Sequence, residues 1–227
     1  MRKNISITEK EVIVLIFLSM LFAVCESLSI ELNNFFHNYI IFGYHFSFNV
    51  SVIFFCIGFF IIDLITELYN DKFADYFIYS KIISQFMFIC FGVFGVKLAN
   101  IEHGQIAETF FLAPHILFNS MFASFIGYKM TGKIMQALKI KFNGRFLFTR
   151  YLSSTLPGEI TFSLIFTVLS FSHGRTFLDV MNILVGLIIV KFFLSTVFSV
   201  LVVPVTNIMR HYLKLKNLNP TIASIPF

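Results

Sequence analysis

"FFCIGFFIIDLITELYNDKF", residues 54–73, begins as an uninterrupted apolar run and then sets Asp63 and Glu67 into it. A charged side chain at the centre of a bilayer costs roughly 2.5–3.5 kcal/mol on insertion scales, and less near the interface. In a water-soluble protein the two carboxylates would simply face solvent. Composition decides between these cases. Of 227 residues, 57% are hydrophobic and 13% charged, against about 25% charged in ordinary globular domains. Mean hydropathy is +0.84. The chain therefore reads as an all-α polytopic membrane protein, a single integral domain over residues 1–227 with no linker or low-complexity segment.

A spanning helix takes about 20 mostly apolar residues. Six runs qualify: Val12–Ile30, Phe48–Tyr69, Tyr76–Val96, Phe110–Tyr128, Phe148–Phe171 and Val180–Val205. They are continuous, whereas barrel strands would alternate in short segments. Phe22-Ala23-Val24-Cys25 faintly resembles a lipoprotein cleavage site, but Phe22 and Val24 are poor small-residue positions, so the first helix is expected to remain uncleaved. The basic residues fall largely on one side of this topology. Arg2, Lys3 and Lys10 precede the first run, and Lys72 and Lys81 follow the second. Lys129, Lys133, Lys139, Lys141, Arg145 and Arg150 follow the fourth, and Arg210, Lys214 and Lys216 end the chain. Only Lys97 and Arg175 fall opposite, so both termini are expected in the cytoplasm. The longest outer loop, "ELNNFFHNYIIFGYHFSFN" (31–49), has the aromatic alternation of a short hairpin lying on the membrane.

Several function classes drop out. Net charge is +5, but no polar domain interleaves basic residues with stacking aromatics, so no nucleic-acid partner is expected. Cys25, Cys56 and Cys90 lie in apolar runs without CxxC spacing, which indicates neither a zinc site nor a disulfide framework. Gly127-x4-Gly132-Lys133 starts like a P-loop, yet Ile134 stands where Ser or Thr is required and no strand precedes it. HExxH and GxSxG are missing as well. The chain is expected to be no enzyme and to carry no cofactor or metal.

The charges inside the apolar runs carry the chemistry. Asp63 and Glu67 lie four residues apart and share one helix face, about 40° around the axis. Two readings stand: interfacial carboxylates neutralised by Lys72 or Lys81, or the wall of a cavity open to the cytoplasm. Glu159 and Lys191 fall midway along their runs, beyond easy snorkelling. Facing one another across the fifth and sixth helices is the economical arrangement, either as helix glue or as substrate ligands. Around Glu159, Ser153, Ser154, Thr155, Pro157 and Gly158 make a polar, kinked segment. Such a segment is tolerated at membrane depth only where protein or a cavity satisfies it. Gln85, His115 and Asn119 add neutral polar groups, each of which alone reads as a packing hydrogen bond. The candidate substrate-binding set is Asp63, Glu67, Glu159, Lys191, Ser154, Thr155, Gln85 and Asn119.

"DLITELYN" (63–70) resembles the second-helix signature of the queuosine-precursor transporters, or VUT family. Asp63, Thr66, Glu67 and Tyr69 match it, and Asn70 replaces a Gly, a substitution that tolerates a left-handed helix end. "ASFIGY" (123–128) and "SSTLPGEITFSLIFTVLSF" (153–171) resemble its fourth and fifth helices, and Lys191 falls where the family keeps a lysine. Glu159 occupies the family's amide position and Phe162 its Asp position, while the Gln and Asp that follow the fourth helix are missing near Gly132 and Met135. The resemblance implies six helices around a central polar cavity with both ends inside. It implies import, across a bacterial inner membrane, of a deazaguanine base for tRNA modification salvage: 7-cyano- or 7-aminomethyl-7-deazaguanine, or queuine. The carboxylates and Lys191 would read the polar rim of the base while aromatic rings stack its face. The partners are then that small molecule and membrane lipid, with a homodimer left open. An alternative is the substrate-binding membrane subunit of an energy-coupled vitamin importer with separate ATPase partners. The first run lacks the Ala-x-x-x-Ala docking pattern this would favour. A third reading is an intramembrane enzyme or scaffold.

Overall fold

Hydrocarbon offers no partner to a backbone N–H, so a spanning segment must satisfy its own, and the apolar runs fold as helices. The computed structural model describes residues 8–32, 36–41, 44–100, 110, 114–172 and 176–213. Its elements in order are α1 (Glu9–Glu31), β1 (Phe36–Ile41), β2 (Tyr44–Asn49), α2 (Ser51–Leu68), α3 (Asp71–Leu98), α4 (Pro114–Lys141), α5 (Leu147–Phe171) and α6 (Phe177–Tyr212). Strands β1 and β2 pair antiparallel, Phe36 opposite Asn49 and Ile41 opposite Tyr44. The outer loop thus adds a hairpin to an otherwise helical chain.

Among the described residues, five helices are long and apolar enough to cross a membrane: α1, α2, α3, α5 and α6. Helix α4 is not one of them. It runs well past the expected end at Tyr128, and this extension carries Lys129, Lys133, Lys139 and Lys141. The hydropathy signal at 128 marked the end of the apolar part and not the end of the helix. Of the residues used to orient the chain, Arg2, Lys3, Arg175, Lys214 and Lys216 lie outside the described residues.

Helix starts follow local side-chain chemistry. Thr8 and Glu11 form a capping box at α1, and Thr176 and Asp179 form another at α6. Asn70 caps α3, its Oδ1 accepting from the Phe73 N–H at 2.9 Å. Its backbone is extended, φ −173°, so the expected left-handed helix end is not formed there. The reason for Asn at this position is the start of α3, not the end of α2.

Helix α2 is the hub. Within the apolar windows, 78% of α2 is buried, against 28–44% for the other four. Large apolar side chains on the remaining helices face outward, among them Phe17 and Met20 on α1, Phe91 and Phe94 on α3, and Phe192 and Phe193 on α6. Lipid is the solvent that accepts such a surface.

The packing of α2 on α5 is regular. The helices run antiparallel, and each four-residue step along α2 meets a four-residue step back along α5. Phe55 faces Phe162, ring centroids 4.0 Å apart. Phe59 faces Gly158, where an added Cβ would lie 3.1 Å from the Phe59 ring. Asp63 faces Ser154 at 2.9 Å, and Glu67 faces Arg150 at 2.6 Å. These are the i±4 ridges of helix packing. Gly158 also sets the approach of α4, since its added Cβ would collide with the Thr131 hydroxyl and the Gly127 carbonyl. Gly158→Val should therefore overpack the α2–α4–α5 junction and cost about 1–3 kcal/mol. The expected readout is a lowered thermal midpoint of the detergent-purified protein. An unchanged midpoint would contradict this packing.

Candidate functional site

The polar groups form an axis along α2, α5 and α6. At the end of α2 away from the hairpin, Glu67 is buried and receives Arg150 on both carboxylate oxygens, at 2.6 and 3.1 Å. Arg210 of α6 also binds it. Two further Arg150 donors reach the Arg145 carbonyl at 2.8 Å and the Gly144 carbonyl at 3.0 Å. Those carbonyls are aimed by the α4–α5 turn, where Asn143, Gly144 and Phe146 have positive φ. Lys139 closes the same end, donating to the Glu67 and Thr66 carbonyls at 2.6 and 3.3 Å and so capping α2. Burial lowers the Lys139 pKa below its ordinary range, and the Glu67 carboxylate opposes that shift.

One turn up, Asp63 is fully buried and accepts from Ser154 at 2.9 Å and Thr155 at 2.5 Å. Both carboxylates are enclosed by protein. Lys81, expected as a neutralising partner, lies elsewhere. Higher again, Glu159 accepts from Ser195 of α6 on one oxygen, and its Oε1 has no hydrogen-bond partner. Lys191 donates to Ser163 at 2.9 Å and sits over the Phe162 ring at 4.0 Å and the Phe55 ring at 4.9 Å. Lys191 and Glu159 are thus brought to adjacent turns of the α5–α6 contact, but no ion pair within 4 Å joins them among the described residues.

Above Lys191 lies a cavity of about 40 Å³, at the hairpin end of the bundle. Ser29, Ser51, Ser120, Phe55, Phe162 and Lys191 line it, together with aliphatic side chains and Phe166. It has room for a few water molecules. Of the eight candidate residues, Lys191 alone lines it. Asp63, Glu67, Ser154, Thr155 and Glu159 stack beneath it. Asn119 is half-buried and donates to Ser170 at 3.3 Å. Gln85 belongs to a separate cluster, where both its amide atoms are buried without partners.

That second cluster was missed in the sequence. Glu26 of α1 and Lys81 of α3 form a buried ion pair at 3.3 Å. Tyr128 donates to Glu26, and Lys81 donates to Ser124. A void of about 10 Å³ beside Gln85, Glu26 and Lys81 matches one water. Lys81 does not stand with the cytoplasmic charges as expected: about three turns into α3, it is buried. The signal was available: Glu26 interrupts the first apolar run as Lys191 interrupts the last. Arg150 and Arg210 were likewise read for topology alone.

Five long apolar helices around a buried ionic axis, with a small, largely apolar cavity floored by Lys191 at one end, define a multi-pass membrane protein. Residues 49–209 match the family model described as "Putative vitamin uptake transporter". The match spans well over half the chain, and the chain belongs to that family of transporters. No curated protein and no solved structure gave a match.

The buried Glu67–Arg150 contact makes a quantitative prediction. Glu67→Leu should destabilise by about 3–5 kcal/mol, because it strands the buried Arg150, and Arg150→Leu should cost less, because Arg210 still pairs with Glu67. The double variant should recover much of that loss. Simple additivity in the double-mutant cycle would show that the two side chains are not coupled.

Proposed function

We propose that the protein imports a deazaguanine base, a queuosine precursor, across a bacterial inner membrane for salvage into tRNA. In this reading α4 completes a set of six spans around the polar axis, and both termini are cytoplasmic. The excess of Lys and Arg at the Glu67 end supports that orientation. The protein then acts as a carrier and not as an enzyme.

The observation that carries the reading is Lys191. A mid-helix ammonium, 2% exposed, forms the floor of a cavity and lies across two aromatic faces. Intramembrane cations in cavities mark substrate paths. A flat heterocycle with rim acceptors fits this chemistry: the rings offer stacking, and Lys191 and the serine hydroxyls offer hydrogen bonds. The cavity as it stands is too small for a bicyclic base, so Phe55 and Phe162 must part to admit one. Beneath Lys191, Glu159 and then Asp63 with Ser154 and Thr155 are the next polar stations. The Glu67 clasp bars the far end. Such a state is closed to the cytoplasm, as alternating access requires of an outward-facing carrier. Gln85 and Asn119 are assigned no direct contact in this state.

Proteoliposomes test the reading. The wild-type protein should take up at least one radiolabelled deazaguanine base above protein-free vesicles. Lys191→Met should fall to background while remaining in the membrane at wild-type abundance. Full uptake by Lys191→Met, or none by the wild type, would contradict the proposal.

A further inference from the structure

The import reading leaves open which bases enter, and the charge inside the cavity bears on that. Lys191 is the sole charged side chain lining the cavity among the described residues. Among the described residues no carboxylate lines it or lies within 4 Å of the Lys191 ammonium. The acidic groups nearby lie off the cavity lining, and of these Glu159 keeps one oxygen, Oε1, without a hydrogen-bond partner. Glu159 accepts from Ser195 below the cavity floor, Asp63 is held by Ser154 and Thr155, and Glu67 is clasped by two arginines. Glu26 is paired with Lys81 and Tyr128.

Two aromatic faces are already taken. A cation favours the centre of an aromatic face, and the protein's own ammonium already lies over Phe162 and Phe55. A ligand cation entering here would meet a like charge at low dielectric, with no carboxylate among the described residues on the cavity lining. A neutral acceptor would meet the opposite situation. Lysine has three donors, and the protein uses one on Ser163. Phe162 and Phe166 stack with an interplanar angle of 11°, and a planar ligand can continue that stack.

We infer that the cavity selects an uncharged planar base bearing an acceptor at its rim and excludes the cationic analogue. Lys191 is the residue that sets this preference. The inference rests on the import reading and narrows it to the nitrile-bearing deazaguanine over the aminomethyl-bearing one, whose amine is an ammonium at neutral pH.

Equilibrium binding to the purified full-length protein at neutral pH tests it, with 7-cyano-7-deazaguanine and 7-aminomethyl-7-deazaguanine as probes. The wild type should bind the nitrile at least about tenfold more tightly. Lys191→Arg should keep the preference, and Lys191→Gln should bring the two affinities within about threefold. Equal or tighter wild-type binding of the aminomethyl base would overturn the inference and leave the import reading standing. A preference that survives in Lys191→Gln would also overturn it. Binding of neither base would remove both.

Discussion

Glu67 meets Arg150 through both carboxylate oxygens, and neither side chain has any exposed surface. Hydrocarbon would supply no other partner to either charge, so α2 and α5 have one register in which both are satisfied. The rungs above it, Asp63 with Ser154, Phe59 with Gly158 and Phe55 with Phe162, follow at four-residue spacing. Sliding either helix by one residue would turn Asp63 and Glu67 away from their partners together. Arg210 and Lys139 then bring α6 and α4 to the same carboxylate and the same helix end. One acidic side chain thereby ties three helices together, and the backbone carbonyls at the same helix end hold the fourth.

The axis built on that rung changes character along its length. It runs from a salt bridge, through a carboxylate held by hydroxyls, to an ammonium on aromatic faces below a small cavity. The charged end is sealed by protein and the hairpin end retains space. A transporter needs both features, a barrier on one side and a reachable polar centre. The Glu26–Lys81 pair stands apart from the axis but touches it through Tyr128, whose ring stacks on Phe55 at 5.8 Å. Movement of Phe55 to admit a ligand would therefore be felt at α1 and α3.

Much of this was legible in the residues. Continuous apolar runs located all six helices, and alternation in 31–49 located the hairpin. The four-residue spacing of Asp63 and Glu67 indicated a shared face, and both indeed turn toward α5. What hydropathy could not supply was the lateral arrangement. A period of 3.6 residues says which side chains share a face, and says nothing of which helix that face meets. Arg150 and Arg210 therefore look like loop charges, while Lys191 and Glu159 do come to adjacent turns within electrostatic reach, each hydrogen-bonding a serine. Asn119 and Gln85 looked like members of one site because burial alone does not separate two sites. Phe162, where the resembling family keeps an acid, proved to be the face on which Lys191 rests.

The central claim is that Lys191 lies at the floor of a water-filled cavity and not against lipid. In a background with Cys25, Cys56 and Cys90 replaced by Ala, a single cysteine is introduced at Ser120, on the cavity wall, or at Ile189, on the outer face of α6. Reaction with a membrane-impermeant maleimide then reports water at each position, because only the thiolate reacts. The account predicts labelling at position 120 and none at 189. Labelling at 189 with silence at 120 would place the polar path on another face of the bundle and contradict it.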